Sequence, residues 1–94
     1  MTFVKGFSKH VRRSTTAAEL FGERLKELRL AAGHTQESLA EGAGLPSTHI
    51  SSMERGLKLP NLMTLLRLAV ALDCKVAKLV SVFDQTEIAE LLEK

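Results

Sequence analysis

The chain is predicted to be all-α, on three observations. Apolar residues recur at helical spacing in several short runs, and no run alternates as a half-buried strand would. Aromatic residues make up only 4% of the 94-residue sequence, all of them Phe. A core must therefore come from Leu, Ile, Val and Ala, whereas a β-sandwich favours β-branched and aromatic residues. The length suits one domain with a modest core, and a content of 45% apolar and 26% charged residues is that of a folded chain.

Each element carries its own signals. Thr16-Ala-Ala-Glu19 is a capping-box pattern, which satisfies free amides at a helix start. Behind it Ala18, Phe21, Leu25, Leu28 and Ala32 fall on one helical face, and Gly33 supplies a left-handed stop. Thr35 can cap a second helix, with Glu37 suited to its positive end and Leu39, Ala40 and Ala43 inside. Gly42 and Gly44 close it, and Pro46 opens a short third helix that runs to about Arg55 and buries Ile50 and Met53. Gly56 stops that helix, and Pro60 keeps the next stretch from being helical. Asn61 caps a fourth helix whose inner stripe is read as Leu62, Leu65, Leu66, Ala69 and Leu72. Val76, Leu79, Val80 and Phe83 form a fifth. Asp84 and Glu87 are a second capping pair, ahead of a last helix with Ile88, Leu91 and Leu92 on one side. The expected organisation is a basic flexible arm at 1–15, a five-helix domain at 16–83, and an extra C-terminal helix at 84–94.

Several function classes can be set aside. The net charge is only +2, but residues 1–13 carry Lys5, Lys9, Arg12 and Arg13 and no acid, leaving nine basic against eleven acidic residues elsewhere. The basic excess thus sits in the arm, where it could serve as a solvated tail or touch phosphate. Cys74 is the single cysteine, so no internal disulfide forms, and its place in an apolar run marks it as a small buried hydrophobe. Neither a signal-peptide stretch nor a membrane-length apolar window occurs, so a cytoplasmic protein is expected. His10, His34 and His49 fall on separate elements without ligand-spaced Cys or carboxylate, so no metal or cofactor is expected. Ser47, Thr48, Ser51 and Ser52 have no evident His/Asp partner, which argues against a nucleophilic enzyme.

The informative stretch is 36–55. Two short helices joined by a tight Gly-containing turn meet the requirement of a helix-turn-helix. In that geometry the first helix crosses the backbone of duplex DNA and the second lies in the major groove. At about 100° per residue, Thr48, Ser51, Ser52 and Arg55 share the outward stripe of the second helix, away from Ile50 and Met53. Short hydroxyl side chains there permit close approach to base edges.

The series Leu28-Arg29, Gly33, Thr35-Gln36, Leu39-Ala40, Gly44, Ile50-Ser51, Glu54-Arg55-Gly56, Pro60 and Leu65 through Leu72 resembles the Cro/repressor-type helix-turn-helix family, the xenobiotic-response-element regulators. The resemblance covers more than half the chain in order and spacing. It implies a compact lambda-repressor-like fold and a transcription regulator that binds double-stranded DNA. Ser47, Thr48 and Ser52 match base-reading positions. Gln36 and Arg55 match phosphate contacts, and His49 and Lys58 are counted with them. Arg29 and Glu54 match a family ion pair between the first and third helices. Two departures stand out. Pro46 replaces the usual Ser or Thr cap, so Ser47 is expected to share the capping, and His34 replaces an apolar residue and is expected to be partly buried.

One short recognition helix reads few base pairs, so a homodimer on a two-fold operator is expected, with Ile88, Leu91 and Leu92 as its face. The competing reading is an antitoxin or protein-interaction module on the same fold, with DNA binding secondary.

Overall fold

The computed structural model describes residues 16–92. The basic arm, with Lys5, Lys9, His10, Arg12 and Arg13, lies outside the described residues, as do 93–94. Among the described residues six helices follow in order: α1 (Ala17–Ala31), α2 (Gln36–Ala43), α3 (Ser47–Glu54), α4 (Leu62–Leu72), α5 (Val76–Leu79) and α6 (Gln85–Leu92). Among the described residues there is no strand.

The helix starts follow their caps. Thr16 accepts from the Glu19 amide at 3.1 Å while the Glu19 carboxylate accepts from the Thr16 amide at 2.9 Å. Thr35 accepts from the Ser38 amide at 2.9 Å, and Ser38 Oγ reciprocates at 3.0 Å. Asn61 Oδ1 accepts from the Thr64 amide at 2.8 Å. Each such cap contributes about 1 kcal/mol. α3 is the exception, because Pro46 itself occupies its cap position, extended at φ −67° and ψ 146°, with no side-chain cap bond. The expected sharing of this role by Ser47 is therefore corrected. Proline's fixed φ already suits the cap conformation, so Ser47 becomes the first helical residue.

One core joins α1 to α5: Phe21 and Leu25, Leu39, Ala40 and Ala43, Ile50 and Met53, Leu68, Ala69 and Leu72, and Leu79. α3 packs on both α1 and α2, α4 on α2, and the short α5 on α1 and α4. Leu28, Leu65, Cys74 and Phe83 lie at the core's margin, partly buried. Cys74 is thus less enclosed than its apolar run implies.

Three expectations about these elements need correction. Ala32 is the cap residue of α1 and is exposed, because the helix ends one residue before it. α5 stops at Leu79, so Val80 is only its cap residue and Phe83 reaches the core from beyond the helix. The stripe of α4 is rotated: Leu62 and Leu66 are 67% and 41% exposed, while Thr64 and Leu68 are buried. Apolar residues surround α4, so periodicity alone does not choose its inner face; contact with α2 and α5 does. In α6, Ile88 is exposed, Leu91 half-buried and Leu92 exposed. Glu87, half of the capping pair expected there, lies outside the described side chains.

Candidate nucleic-acid interface

The turn between α2 and α3 spans only Gly44, Leu45 and Pro46. Gly44 adopts φ +70°, a left-handed conformation that costs a side chain roughly 1 kcal/mol or more. The Leu45 amide then donates to the Ala40 carbonyl at 2.9 Å, and Leu45 turns onto the core. The chain is thereby reversed in three residues, and Pro46 can start α3 at once.

The roll of α3 about its own axis is set by two residues. Ile50 and Met53 are both fully buried, and burying each contributes about 1.5–3 kcal/mol. Turning the helix would expose both. Thr48 and Arg55 consequently stand exposed, while Ser47, His49, Ser51 and Ser52 are half-buried along the helix flanks. Lys58 is exposed in the segment beyond Arg55. The outward stripe thus has Thr48 and Arg55 fully open, and Ser51 and Ser52 nearer the helix–helix junctions.

The position of α3 relative to α1 rests on two contacts. The first is Gly22, buried in the middle of α1. A Cβ there would collide with the carbonyl oxygen of Met53 and lie 2.9 Å from that of Glu54. Only a hydrogen atom fits between the α1 backbone and the end of α3. Sequence reasoning missed this residue, although a signal existed: a glycine inside a helical pattern costs about 1 kcal/mol and usually has a packing reason.

The second contact is a buried polar hub. Arg29 Nε donates to Glu54 Oε2 at 2.6 Å, and Arg29 Nη2 donates to Glu54 Oε1 at 3.1 Å. The two side chains are 9% and 3% exposed. Arg29 Nη1 donates to the His34 carbonyl oxygen at 2.9 Å, tying in the α1–α2 connection. Gln36 Nε2 donates to Glu54 Oε1 at 2.9 Å, so α2 joins the same carboxylate. One carboxylate at the end of α3 thus gathers donors from the two helices that flank it. The Arg29 pKa is raised, chiefly by its hydrogen bond to Glu54, with the charge of Glu54 adding to it against the cost of burial. The guanidinium therefore stays charged throughout the usable pH range. His34 is half-buried, with Nδ1 2.8 Å from Ser38 Oγ, at the start of α2.

The residues singled out in the sequence thus fall into three places. Arg29, Glu54 and Gln36 come together at the junction of α1, α2 and α3. Ser47, Thr48, His49, Ser52, Arg55 and Lys58 follow α3 and its exit. Ile88, Leu91 and Leu92 lie on α6, which contributes nothing to the described core. The coupling of Gln36 to Glu54 was not foreseen, since their separation of 18 residues carries no local signal. Among the described residues no three His, Cys, Asp or Glu side chains are placed to hold a metal ion. No described helix is long and apolar enough to cross a membrane.

Comparison with known proteins agrees with this geometry. Residues 25–79 match the family model described as helix-turn-helix. The chain is similar to the HTH-type transcriptional regulator SinR of Bacillus licheniformis, at 35% identity over 72% of this chain and 62% of that protein. It is therefore aligned with only about three fifths of that relative's length. It is also 37% identical to the uncharacterized HTH-type transcriptional regulator y4dJ of Sinorhizobium fredii, over 72% of this chain and 88% of the other. Among solved structures, the restriction-modification controller protein C.AhdI of Aeromonas hydrophila aligns with a TM-score of 0.64 and 42% identity, over 66% of this chain and 94% of that one.

Proposed function

This chain belongs to the Cro/repressor-type helix-turn-helix family, and from that premise we propose that it regulates transcription by binding a specific site on double-stranded DNA. α3 enters the major groove. Ser47, Thr48 and Ser52 read base edges, and Gln36, His49, Arg55 and Lys58 contact phosphate. The observation that carries this reading is the way α3 is held. Its core face is Ile50 and Met53, and its hub is at its C-terminal end, so Thr48 is left open for a duplex with Ser47, Ser51 and Ser52 partly accessible beside it. Short polar side chains allow base edges to be reached at hydrogen-bond distance. The similarity to named transcription regulators supports the same reading. The site of action is then the cytoplasm, and two copies act on a two-fold operator, since one eight-residue helix spans few base pairs.

The test begins with selection of a preferred duplex from random sequences by the purified protein. A Thr48→Ala, Ser52→Ala variant is then compared on selected and scrambled DNA at one salt concentration. Each base contact contributes about 1–3 kcal/mol of discrimination, so the preference should fall by roughly one to four powers of ten. Affinity for scrambled DNA and the melting temperature should hold. Undiminished preference would remove these residues as readers. No preferred duplex in the parent would leave the protein-interaction reading in its place.

A further inference from the structure

The basic arm has an order in its sequence that its charge conceals. At about 100° per residue, Phe3, Val4, Phe7 and Val11 fall within one arc of about 100°. Lys5, Lys9, Arg12 and Arg13 fall within a second arc of about the same width on the opposite side. That is the pattern of an amphipathic helix over 3–13, followed by a link of Ser14 and Thr15. A helix so short, with Gly6 inside it, needs a surface to form against.

The described residues offer one. A groove of about 550 Å³ runs along α1, walled by Leu20, Glu23, Arg24, Glu27 and Leu30 and closed by Val82 between α5 and α6. Leu20 and Val82 are half-buried there, and Leu30 is 58% exposed. One wall is fixed, because Arg24 Nε donates to the Lys78 carbonyl oxygen at 3.0 Å and Arg24 Nη1 to Glu27 Oε1 at 2.9 Å. The middle of the groove lies roughly 150° around α1 from Gly22 and Arg29, the residues that meet α3.

We propose that residues 3–13 form a helix that folds back along α1 and seats Phe3, Val4, Phe7 and Val11 in this groove. The place where the segment ends selects it as the occupant. It joins α1 at the cap residue Thr16, and the groove begins one turn further on, at Leu20. Two residues are enough to link antiparallel helices. Residues 3–13 span about 16 Å as a helix and Leu20 to Leu30 about 15 Å, so the segment matches the groove in length. Tethered at Thr16, it is present at an effective concentration on the order of millimolar, ahead of any free partner. In the antiparallel sense Val11 meets Leu20, Phe7 enters between the Arg24 stem and Val82, and Phe3 and Val4 approach Leu30. Lys5, Lys9, Arg12 and Arg13 then face solvent on the side of α1 away from α3. The arm becomes a brace on α1 and not an added phosphate contact, whatever DNA the domain binds.

The experiment is amide hydrogen exchange of the full chain without DNA, read at residues 7–13, since the first four amides of a helix have no internal partner. Exchange there should be slowed on the order of tenfold or more relative to an unstructured chain. Leu30→Glu, at an exposed position outside the core, should return these amides to coil rates while α1 and α4 keep their protection. Phe7→Ser should do the same from the other side of the contact, and it serves if Leu30→Glu loses structure. Lys9→Gln, on the opposite arc, should leave the protection in place. Coil rates in the parent overturn the proposal, even if duplex DNA or anionic vesicles then protect the segment. So does protection that survives both Leu30→Glu and Phe7→Ser in folded proteins, or protection lost on dilution, which would make the contact one between copies.

Discussion

Removing Glu54 is the sharpest test of how the recognition helix is held. Glu54→Leu takes away the acceptor of three hydrogen bonds while keeping similar volume. It strands the Arg29 guanidinium, only 9% exposed, and frees the Gln36 amide. Arginine cannot escape by losing its proton. Its pKa is raised in the fold, chiefly by the hydrogen bond to Glu54, so the stabilisation linked to that proton is fully present at every pH at which the protein is handled and would be lost only in strong alkali. Breaking a buried pair from one side costs about 3–5 kcal/mol, out of a total stability of about 5–15 kcal/mol. For a chain of this size 3 kcal/mol lowers Tm by roughly 12–24 °C. Arg29→Met should cost somewhat less, because Glu54 keeps its bond from Gln36, although the His34 carbonyl loses its donor. In the double variant no buried charge remains, and the cost shrinks to the two orphaned polar groups, about 1–3 kcal/mol each at most. Urea unfolding of the four proteins at 25 °C therefore should give a coupling of about 2–4 kcal/mol. Additive single effects, within about 0.5 kcal/mol, would refute the claim that the pair holds α1 and α3 together.

Two further outcomes follow from the same junction. Gly22→Ala should destabilise the fold by about 1–3 kcal/mol through overpacking against the carbonyls at the end of α3, although propensity alone favours Ala by about 1 kcal/mol; a urea midpoint that rises instead would remove Gly22 from the α1–α3 contact. Gln36→Ala should weaken binding to selected and scrambled duplexes about equally and leave the dependence of log affinity on log salt unchanged, because a neutral amide displaces no counterion, with a small loss of Tm from the vacated Glu54 oxygen; a loss confined to the selected duplex would make Gln36 a base reader.

Legibility of the site depended on how far apart its parts lie in the chain. The caps at Thr16, Thr35 and Asn61 were evident because a capping bond spans three residues. The inward residues of α2 and α3 were evident too, since polar neighbours frame them. The family resemblance pairs Arg29 with Glu54, in agreement with their places at the margins of their apolar faces, and the structure brings them within 2.6 Å. Nothing in the spacing foretold that Gln36 would share the same carboxylate. The cap of α3 was misjudged because proline was weighed by its missing side-chain bond, whereas its backbone conformation supplies the position.

The class of fold, the order of the helices, where most of them start and the family resemblance are all readable from consecutive residues. These are local matters: caps, turn residues and periodicity act over a few residues and are written in consecutive letters. The tertiary structure alone decided which face of α4 turns inward, how closely α1 and α3 approach at Gly22, and which donors meet at Glu54. α4 shows why. Leu62 and Leu66 are as apolar as Leu68 and Leu72, so only the surfaces offered by α2 and α5 choose between them. That choice, made by packing, is also what leaves Leu62 and Leu66 outside.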